Sequence, residues 1–307
     1  FDQRGVGWSG PRLCGFLDED DPSLDRISVE RLHDRMQSDL TKCLKELEGK
    51  HDLSAYGTQA TVRDMEALRT ALGIEKWNVY GASYGTTVTL AYMAAHPERT
   101  RAAVIDSVYP PEMLAFTGAL PDFVATIERL NELCAANAAC KAQVGDIPRA
   151  LNAALASLEA EPLALNITHP ITYQHQTRYL TGSTLMAILQ SQLLSAGNWR
   201  LVPHIVRDAR DRRASWLLRR ATEDLIALAA ASSAAVWMAT ECRERAPFDD
   251  RTKLVAQAER WPALARVSML DSWFRLCDRW PVKYAAPGVT PRDTTVPTLV
   301  VAGEWDP

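Results

Sequence analysis

The chain has 307 residues, is 47% hydrophobic and 23% charged, and carries a formal net charge of −4. These proportions exclude collagen, coiled coil and a disordered tail, and they allow a large packed core. The mildly acidic balance gives no electrostatic basis for nucleic acid or an anionic membrane as a partner.

Residues 2–10 read Asp-Gln-Arg-Gly-Val-Gly-Trp-Ser-Gly and contain a literal GxGxxG at Gly5, Gly7 and Gly10. A dinucleotide site requires a helix to open there. Pro11 follows instead, then Gly15 and an acidic run from Asp18 to Pro22, so we read a loop at a strand's end. Residues 27–50 place Ile27, Leu32, Met36, Leu40, Cys43, Leu44 and Leu47 at helical spacing. Thr61 to Leu72 predicts a second helix, stopped by Gly73. Trp77–Tyr80 predicts a strand, Thr86–His96 a helix ended by Pro97, and Arg101–Val108 a buried strand. This alternation implies a parallel sheet covered by helices.

The pattern changes after Tyr109-Pro110-Pro111. Residues 115–160 and 182–240 read as Ala- and Leu-rich helices, with a small hairpin between them from Leu163–Ile167 and Thr177–Leu180. Val296–Ala302 reads again as a buried strand. The stretch between the second and third sheet strands is too long for one crossover. The expected organisation is therefore an α/β core over residues 1–109, a mainly helical insertion over 110–292, and a return to the core over 293–307. The most apolar run, Leu225–Ala239, is shorter than the about 20 residues a spanning helix needs, so it is expected to be a buried helix and no membrane span is predicted.

Gly81-Ala82-Ser83-Tyr84-Gly85 lies between a predicted strand and a predicted helix, the context of a nucleophile elbow. The turn raises the Ser83 hydroxyl at the strand's C-terminal end, and both glycines are expected to admit close backbone approach. The Tyr84 backbone N–H is the expected oxyanion donor. On this fold the acid and then the histidine follow the serine in the chain. Asp306, four residues past Ala302, is the expected acid; Glu304 competes and Asp278 is poorer. All six histidines (33, 51, 96, 169, 175 and 204) precede Asp306, so the catalytic base is expected to lie beyond residue 307.

The six cysteines include no CxxC and no zinc-like spacing, so neither a metal nor another cofactor is expected. The economical pairing joins neighbours: Cys14–Cys43, Cys134–Cys140 and Cys242–Cys277. Six buried free thiols remain the alternative.

Three segments, Asp2–Ser9, Gly81–Thr86 and Val300–Pro307, resemble in content and order the prolyl aminopeptidase and tripeptidyl aminopeptidase branch of the α/β-hydrolases. The resemblance implies a helical cap over the site, Ser83 as nucleophile and Asp306 as acid. Cys14 and the Cys242-Arg243-Glu244 segment resemble the secreted tripeptidyl-type members, which implies disulfides and an extracytoplasmic location. The family's Gly-rich oxyanion loop lies upstream of the DQRG motif and its histidine downstream of the acid. The chain, with only 15 glycines, thus looks like a fragment cut at both ends.

The implied activity is removal of residues from the free N-terminus of a peptide. Such a site needs a carboxylate for the substrate ammonium, and Glu244 is the expected residue, with Asp249 and Asp250 weaker. Trp237, Trp273 and Trp280 are candidates for the pocket wall or for the core. The arginines between 207 and 220 are interleaved with Asp208 and Asp211 and read as a solvated helix face. An esterase or lipase of the same fold, and a catalytically incomplete binding module, remain alternatives. The oligomeric state is not legible.

Overall fold

A computed structural model describes residues 1–10, 13–14, 26–195, 197–230, 233–286 and 294–303. In chain order the first elements are α1 (Val29–Leu47), α2 (Thr58–Ala71), β1 (Trp77–Ala82), α3 (Tyr84–Ala95) and β2 (Thr100–Asp106). Then come α4 (Ala119–Ala136), α5 (Ala138–Gln143), α6 (Ile147–Ala160), the strands β3 (Leu163–Thr168) and β4 (His175–Leu180), α7 (Gly182–Leu193), α8 (Val202–Arg210) and α9 (Trp216–Ala230). The last are α10 (Ala234–Thr240), a π-helical turn over Glu241–Arg245, α11 (Thr252–Arg260), α12 (Pro262–Val267), α13 (Leu270–Asp278) and β5 (Thr298–Val301).

Among the described residues, β1, β2 and β5 form a parallel sheet in the order β1-β2-β5, and β3 and β4 form a separate antiparallel hairpin. The fold class is α/β, with a mainly helical region between β2 and β5. The β1-α3-β2 unit is the crossover that parallel strands require, and each residue of α3 from Thr86 to Met93 is buried. Val79 of β1, Val88, Ala91 and Tyr92 of α3, and Val62 and Met65 of α2 pack into one cluster. The Tyr92 hydroxyl, with no exposed surface, donates to Glu66 at 2.8 Å. Arg69, which donates to both Glu66 oxygens, is the main reason that the carboxyl is held down at about 2.

The largest core belongs to the helical region. Leu120, Phe123, Ile127 and Leu130 of α4 meet Leu151, Leu155 and Leu158 of α6, with Leu165 of β3 and Ile205 and Val206 of α8. Side-chain caps define the helix starts: Asp146 accepts from Arg149 N–H at 2.8 Å, and Asn137 from Cys140 N–H at 3.0 Å. A second core joins Met36 and Leu40 of α1 to Met238 and Ala239 of α10, Leu276 of α13 and Trp280. Trp280 is thus a core residue.

Two expectations change. Leu225–Ala239 is two helices, α9 and α10. The N–H groups of Ala234 and Ala235 donate to the carbonyls of Cys14 and Leu13 (3.2 Å each), and Ser233 Oγ donates to Leu13 O at 3.1 Å. The first donors of α10 are spent on a distant segment, so α9 cannot continue through them. No single helix among the described residues is long and apolar enough to cross a membrane. The third sheet strand is exposed where a buried strand was expected: Leu299 and Val300 are each 59% exposed, because β5 is paired only with β2 and is the outer strand among the described residues. The 115–160 stretch is helical as expected, divided into three helices at the Asn137 cap and at Gly145-Asp146.

Disulfides join Cys14–Cys43, Cys134–Cys140 and Cys242–Cys277, and no cysteine is free. Their sequence separations are 29, 6 and 35 residues. Chain-entropy reasoning scales the stabilisation with the logarithm of loop length. Replacing Cys242 and Cys277 by serine is expected to cost about 4 kcal/mol, against about 2 kcal/mol for Cys134 and Cys140. Denaturant midpoints of the two double variants measure the difference, and an equal or inverted ranking contradicts this account.

Candidate active site

The strand β1 runs further than its apolar residues alone predict, because the parallel ladder continues through Gly81↔Ile105 and Ala82↔Asp106. One more bond follows, from Ser83 N–H to Asp106 O at 3.0 Å. The chain then reverses at Ser83 with φ 51° and ψ −124°, and α3 begins. Such a backbone costs a non-glycine residue about 1–3 kcal/mol and persists only where its surroundings enforce it. Here the ladder holds one side and the helix the other: Thr86 N–H and Thr86 Oγ1 donate to Ser83 O at 2.9 and 2.7 Å. Serine is a favoured helix cap, yet the Ser83 hydroxyl makes no cap bond and the residue is exposed. The hydroxyl therefore remains available at the mouth of a helix N-terminus, which favours negative charge.

The two glycines differ. A Cβ on Gly81 would stand 2.2 Å from Gly85 O and 2.4 Å from Thr89 Oγ1, so only glycine fits there. A Cβ on Gly85 would meet nothing within 4 Å. The expectation that both glycines are needed for close approach is met by Gly81 alone. Tyr84 N–H is among the first-turn donors of α3, which have no intrahelical acceptor.

Ser83 opens into a cavity of about 570 Å³. Gln3 and Val6 contribute one wall, Tyr84 and Tyr109 the floor, and Phe116, Val236, Trp237, Leu270 and Trp273 an apolar side. The first wall is a set of tight turns, with Val6 N–H bonded to Gln3 O at 3.1 Å and Ser9 N–H to Val6 O at 3.0 Å. Arg4 ties it to α2 through Asp64 (Nε–Oδ2 2.7 Å). The GxGxxG glycines belong to this loop, as expected. The apolar side is a connected aromatic array: Phe116 meets Trp237 edge-on at 6.2 Å, and Trp237 meets Trp273 at 4.8 Å. Asp249 pins the segment carrying Phe116, accepting from Phe116 N–H at 2.7 Å and from the Thr117 N–H and hydroxyl. It is thereby committed to the fold rather than to a ligand.

Glu241 is the carboxylate that lines the cavity among the described residues. Its Oε2 accepts from the Tyr109 hydroxyl at 3.2 Å, and its Oε1 lies 3.8 Å from Arg245 Nε. Burial raises its carboxyl to about 7, against the opposing pull of Arg245. Arg245 itself stacks on the Tyr109 ring (3.6 Å) and donates to Pro110 O at 2.8 Å and Thr87 Oγ1 at 2.7 Å. The sequence reading missed Glu241 and chose Glu244. Glu244 is buried on a different partner: Oε1 accepts from Thr58 N–H at 2.9 Å and Oε2 from Thr58 Oγ1 at 2.7 Å. In an ordinary helix, residues three apart share a face. The π-helical turn, with its i→i+5 spacing, carries roughly 4.4 residues per turn and splays the two glutamates apart.

Asp306 and its competitor Glu304 lie outside the described residues, as does the 292/293 boundary of the insertion. Asp278 pairs with Arg251 (2.7 Å) and stands apart from the cavity lining. None of the six histidines lines the cavity. His96 caps the far end of α3, about 18 Å from Ser83 by helix rise. His169 Nδ1 accepts from Ile171 and Thr172 N–H in the hairpin turn, and His204 lies beside Arg207. The arginine face is neutralised as expected, through Arg207–Asp208 at 2.7 Å, Arg210–Asp211 at 2.8 Å and Arg220–Asp224 at 2.9 Å. No cluster of metal-ligating side chains is present among the described residues.

Residues 1–139 match the family described as alpha/beta hydrolase fold. Over 331 aligned positions that take in the whole chain, it is 26% identical to the serine protease Hip1 of Mycobacterium tuberculosis and spans 63% of that relative's length. It is 35% identical over 118 residues to a tripeptidyl aminopeptidase of Streptomyces lividans, covering 36% of this chain and 22% of that one. It is 48% identical over 58 residues to a proline iminopeptidase of Xylella fastidiosa, covering 19% of this chain and 18% of the relative.

The elbow geometry predicts opposite effects on stability at adjacent motif positions. Gly81→Ala forces backbone apart and is expected to cost about 1–3 kcal/mol. Ser83→Gly removes the Cβ from a positive-φ position and is expected to gain up to about 1 kcal/mol, net of the added unfolded-state entropy. Thermal unfolding reads both, and a destabilised Ser83→Gly would show that Ser83 is not strained.

Proposed function

We propose that this α/β-hydrolase-fold chain carries the nucleophile and substrate cavity of a serine peptidase that acts from the free N-terminus of peptides. The observation that carries the reading is the pairing, in one cavity, of an uncapped Ser83 hydroxyl with a buried carboxylate, Glu241. The serine chemistry agrees with the serine protease and aminopeptidase activities of the relatives. The carboxylate supplies the reason for an exopeptidase, since a buried anion is stabilised when a cation joins it. Glu241 thus takes the role that the sequence assigned to Glu244.

In this mechanism Ser83 Oγ attacks the scissile carbonyl carbon while a histidine accepts its proton and Asp306 orients that histidine. With the six histidines placed away from the cavity, the reading assigns the base to a histidine outside residues 1–307. The Tyr84 N–H stabilises the oxyanion. The histidine returns the proton to the leaving amine, and water then hydrolyses the acyl-enzyme. The aromatic side of the cavity excludes water around the substrate. Three disulfides with no free cysteine support a site of action outside the cytoplasm.

The test compares a short peptide anilide, free or acetylated at its N-terminus, with a neutral ester, using the full-length protein and a Ser83→Ala control. Only the free anilide and the ester should be cleaved, and both activities should vanish in the control. Glu241→Gln should lower kcat/KM on the free anilide about 100-fold, the order of a buried charge pair, and leave the ester within about threefold. The pH profile follows with a definite sign. Below about 7 the Glu241 carboxyl is protonated and cannot pair with the ammonium, so kcat/KM on the anilide should rise with pH through that value. The α-amino group loses its proton above about 8, so the profile should then fall. The ester should lack both of these limbs and keep only that of the base. Equal cleavage of free and acetylated anilide would exclude the exopeptidase reading and favour a general esterase or peptidase, and inertness towards all three would favour a binding module.

A further inference from the structure

The second glutamate of the π-helical turn is buried, desolvated and unused by the mechanism above. Glu244 is 3% exposed, and burial raises its carboxyl above the ordinary range. It meets the N-terminus of α2, whose cap residue, Gly57, has no side chain with which to cap. Gly57 has φ 136°, and a Cβ there would stand 2.6 Å from Glu244 Oε1. The helix start is thus shaped to admit a carboxylate from another part of the chain. Glu244 accepts both donors of Thr58, and the Thr58 hydroxyl also lies 2.9 Å from the Tyr84 hydroxyl.

Proton counting fixes the direction of this chain of bonds. A carboxylate only accepts, so the single Thr58 hydroxyl proton points to Glu244. The bond between Thr58 and Tyr84 must then be donated by the tyrosine. Burial and the nearby Glu244 carboxylate raise the Tyr84 phenol, which keeps it a donor. Tyr84 is also the residue whose backbone N–H follows the nucleophile. Its side chain is therefore tethered through Thr58 to an anion on the helical region, while its main chain forms the turn at Ser83.

We infer that Glu244 is a positioning residue for the oxyanion amide, acting through Thr58 and the Tyr84 phenol to hold the peptide plane between Ser83 and Tyr84. This inference rests on the hydrolase reading of Ser83. It differs from that reading in what it demands of a substrate. A residue that binds the ammonium affects only substrates that carry one. A residue that sets the oxyanion amide affects every acyl substrate, and it does so in kcat, because the amide bears on the transition state more than on the bound ground state.

The experiment is a double-mutant cycle in the full-length protein between Glu244→Ala and Tyr84→Phe, read on the neutral ester, with labelling by a serine-directed phosphonate to count intact sites. Each single variant should lower kcat about tenfold with KM within about twofold, and the double variant should lose little more than either single one, because both cut the same tether. Glu244→Gln keeps the volume and one of the Thr58 bonds and should restore part of the rate, which separates positioning from misfolding. Losses that multiply in the double variant, or a Glu244→Ala defect confined to the free-amine anilide, overturn the inference while leaving the serine hydrolase intact. A wild-type protein inert towards both ester and phosphonate overturns the hydrolase reading and the inference with it.

Discussion

The site depends first on one hydrogen bond, from the Ser83 N–H to the Asp106 carbonyl at 3.0 Å. It extends the parallel ladder one residue past the last paired position of β1 and fixes the point at which the chain must turn. With that point fixed, α3 has one place to begin, and the backbone between ladder and helix takes a conformation that serine does not adopt freely. Gly81 makes the turn sterically possible, and the burial of α3 from Thr86 to Met93 keeps the helix from relaxing away from it. Strain, exposure of the hydroxyl and the unpaired amide of the next residue are all consequences of the same constraint.

The helical region meets this elbow through a few polar contacts set into apolar packing. Arg245 is the centre of one group: it stacks on Tyr109, bonds to Pro110 and Thr87, and faces Glu241. A buried pair of this kind contributes little net stability, since desolvation offsets attraction, but it is costly to break. It holds Tyr109 and the end of β2 in register with the π-helical turn. Asp249 does comparable work for the Phe116–Thr117 segment. The cavity wall is therefore located by ionic and hydrogen-bonding contacts that tolerate little displacement, while the larger apolar core of α4–α9 supplies stability at a distance.

The sequence made the elbow legible because strand, glycine, serine and helix follow one another within a few residues, and local chemistry decides the turn. The α1 helix and the β3–β4 hairpin were legible for the same reason, and the cysteine pairing because each cysteine joins its neighbour in chain order. What escaped was set by contacts between distant residues. The break between α9 and α10 comes from bonds to Leu13 and Cys14, and no periodicity within 225–239 carries that information. The exposure of β5 depends on what lies beside it, whereas its composition of Val and Leu reads as buried. Glu241 escaped because Glu244 was chosen through the Cys242-Arg243-Glu244 resemblance, and nothing local in the sequence announces that the helix widens there. The signal that would have found it is a second acidic residue on the same short segment, Glu241 three places before Glu244.

That widening has a consequence for how the segment tolerates change in length. An ordinary helical turn and a π-helical turn differ by one inserted residue. Deleting Arg243 would leave a segment able to form a regular helix, with both glutamates retained. They would then stand two places apart, about 200° round the helix, and would point to opposite faces. A direction that reaches the cavity would turn the other carboxylate away from Thr58, so a shortened segment loses one role while leaving every acidic residue in place. The division of labour between the glutamates is thus encoded in the count of residues as much as in their identity.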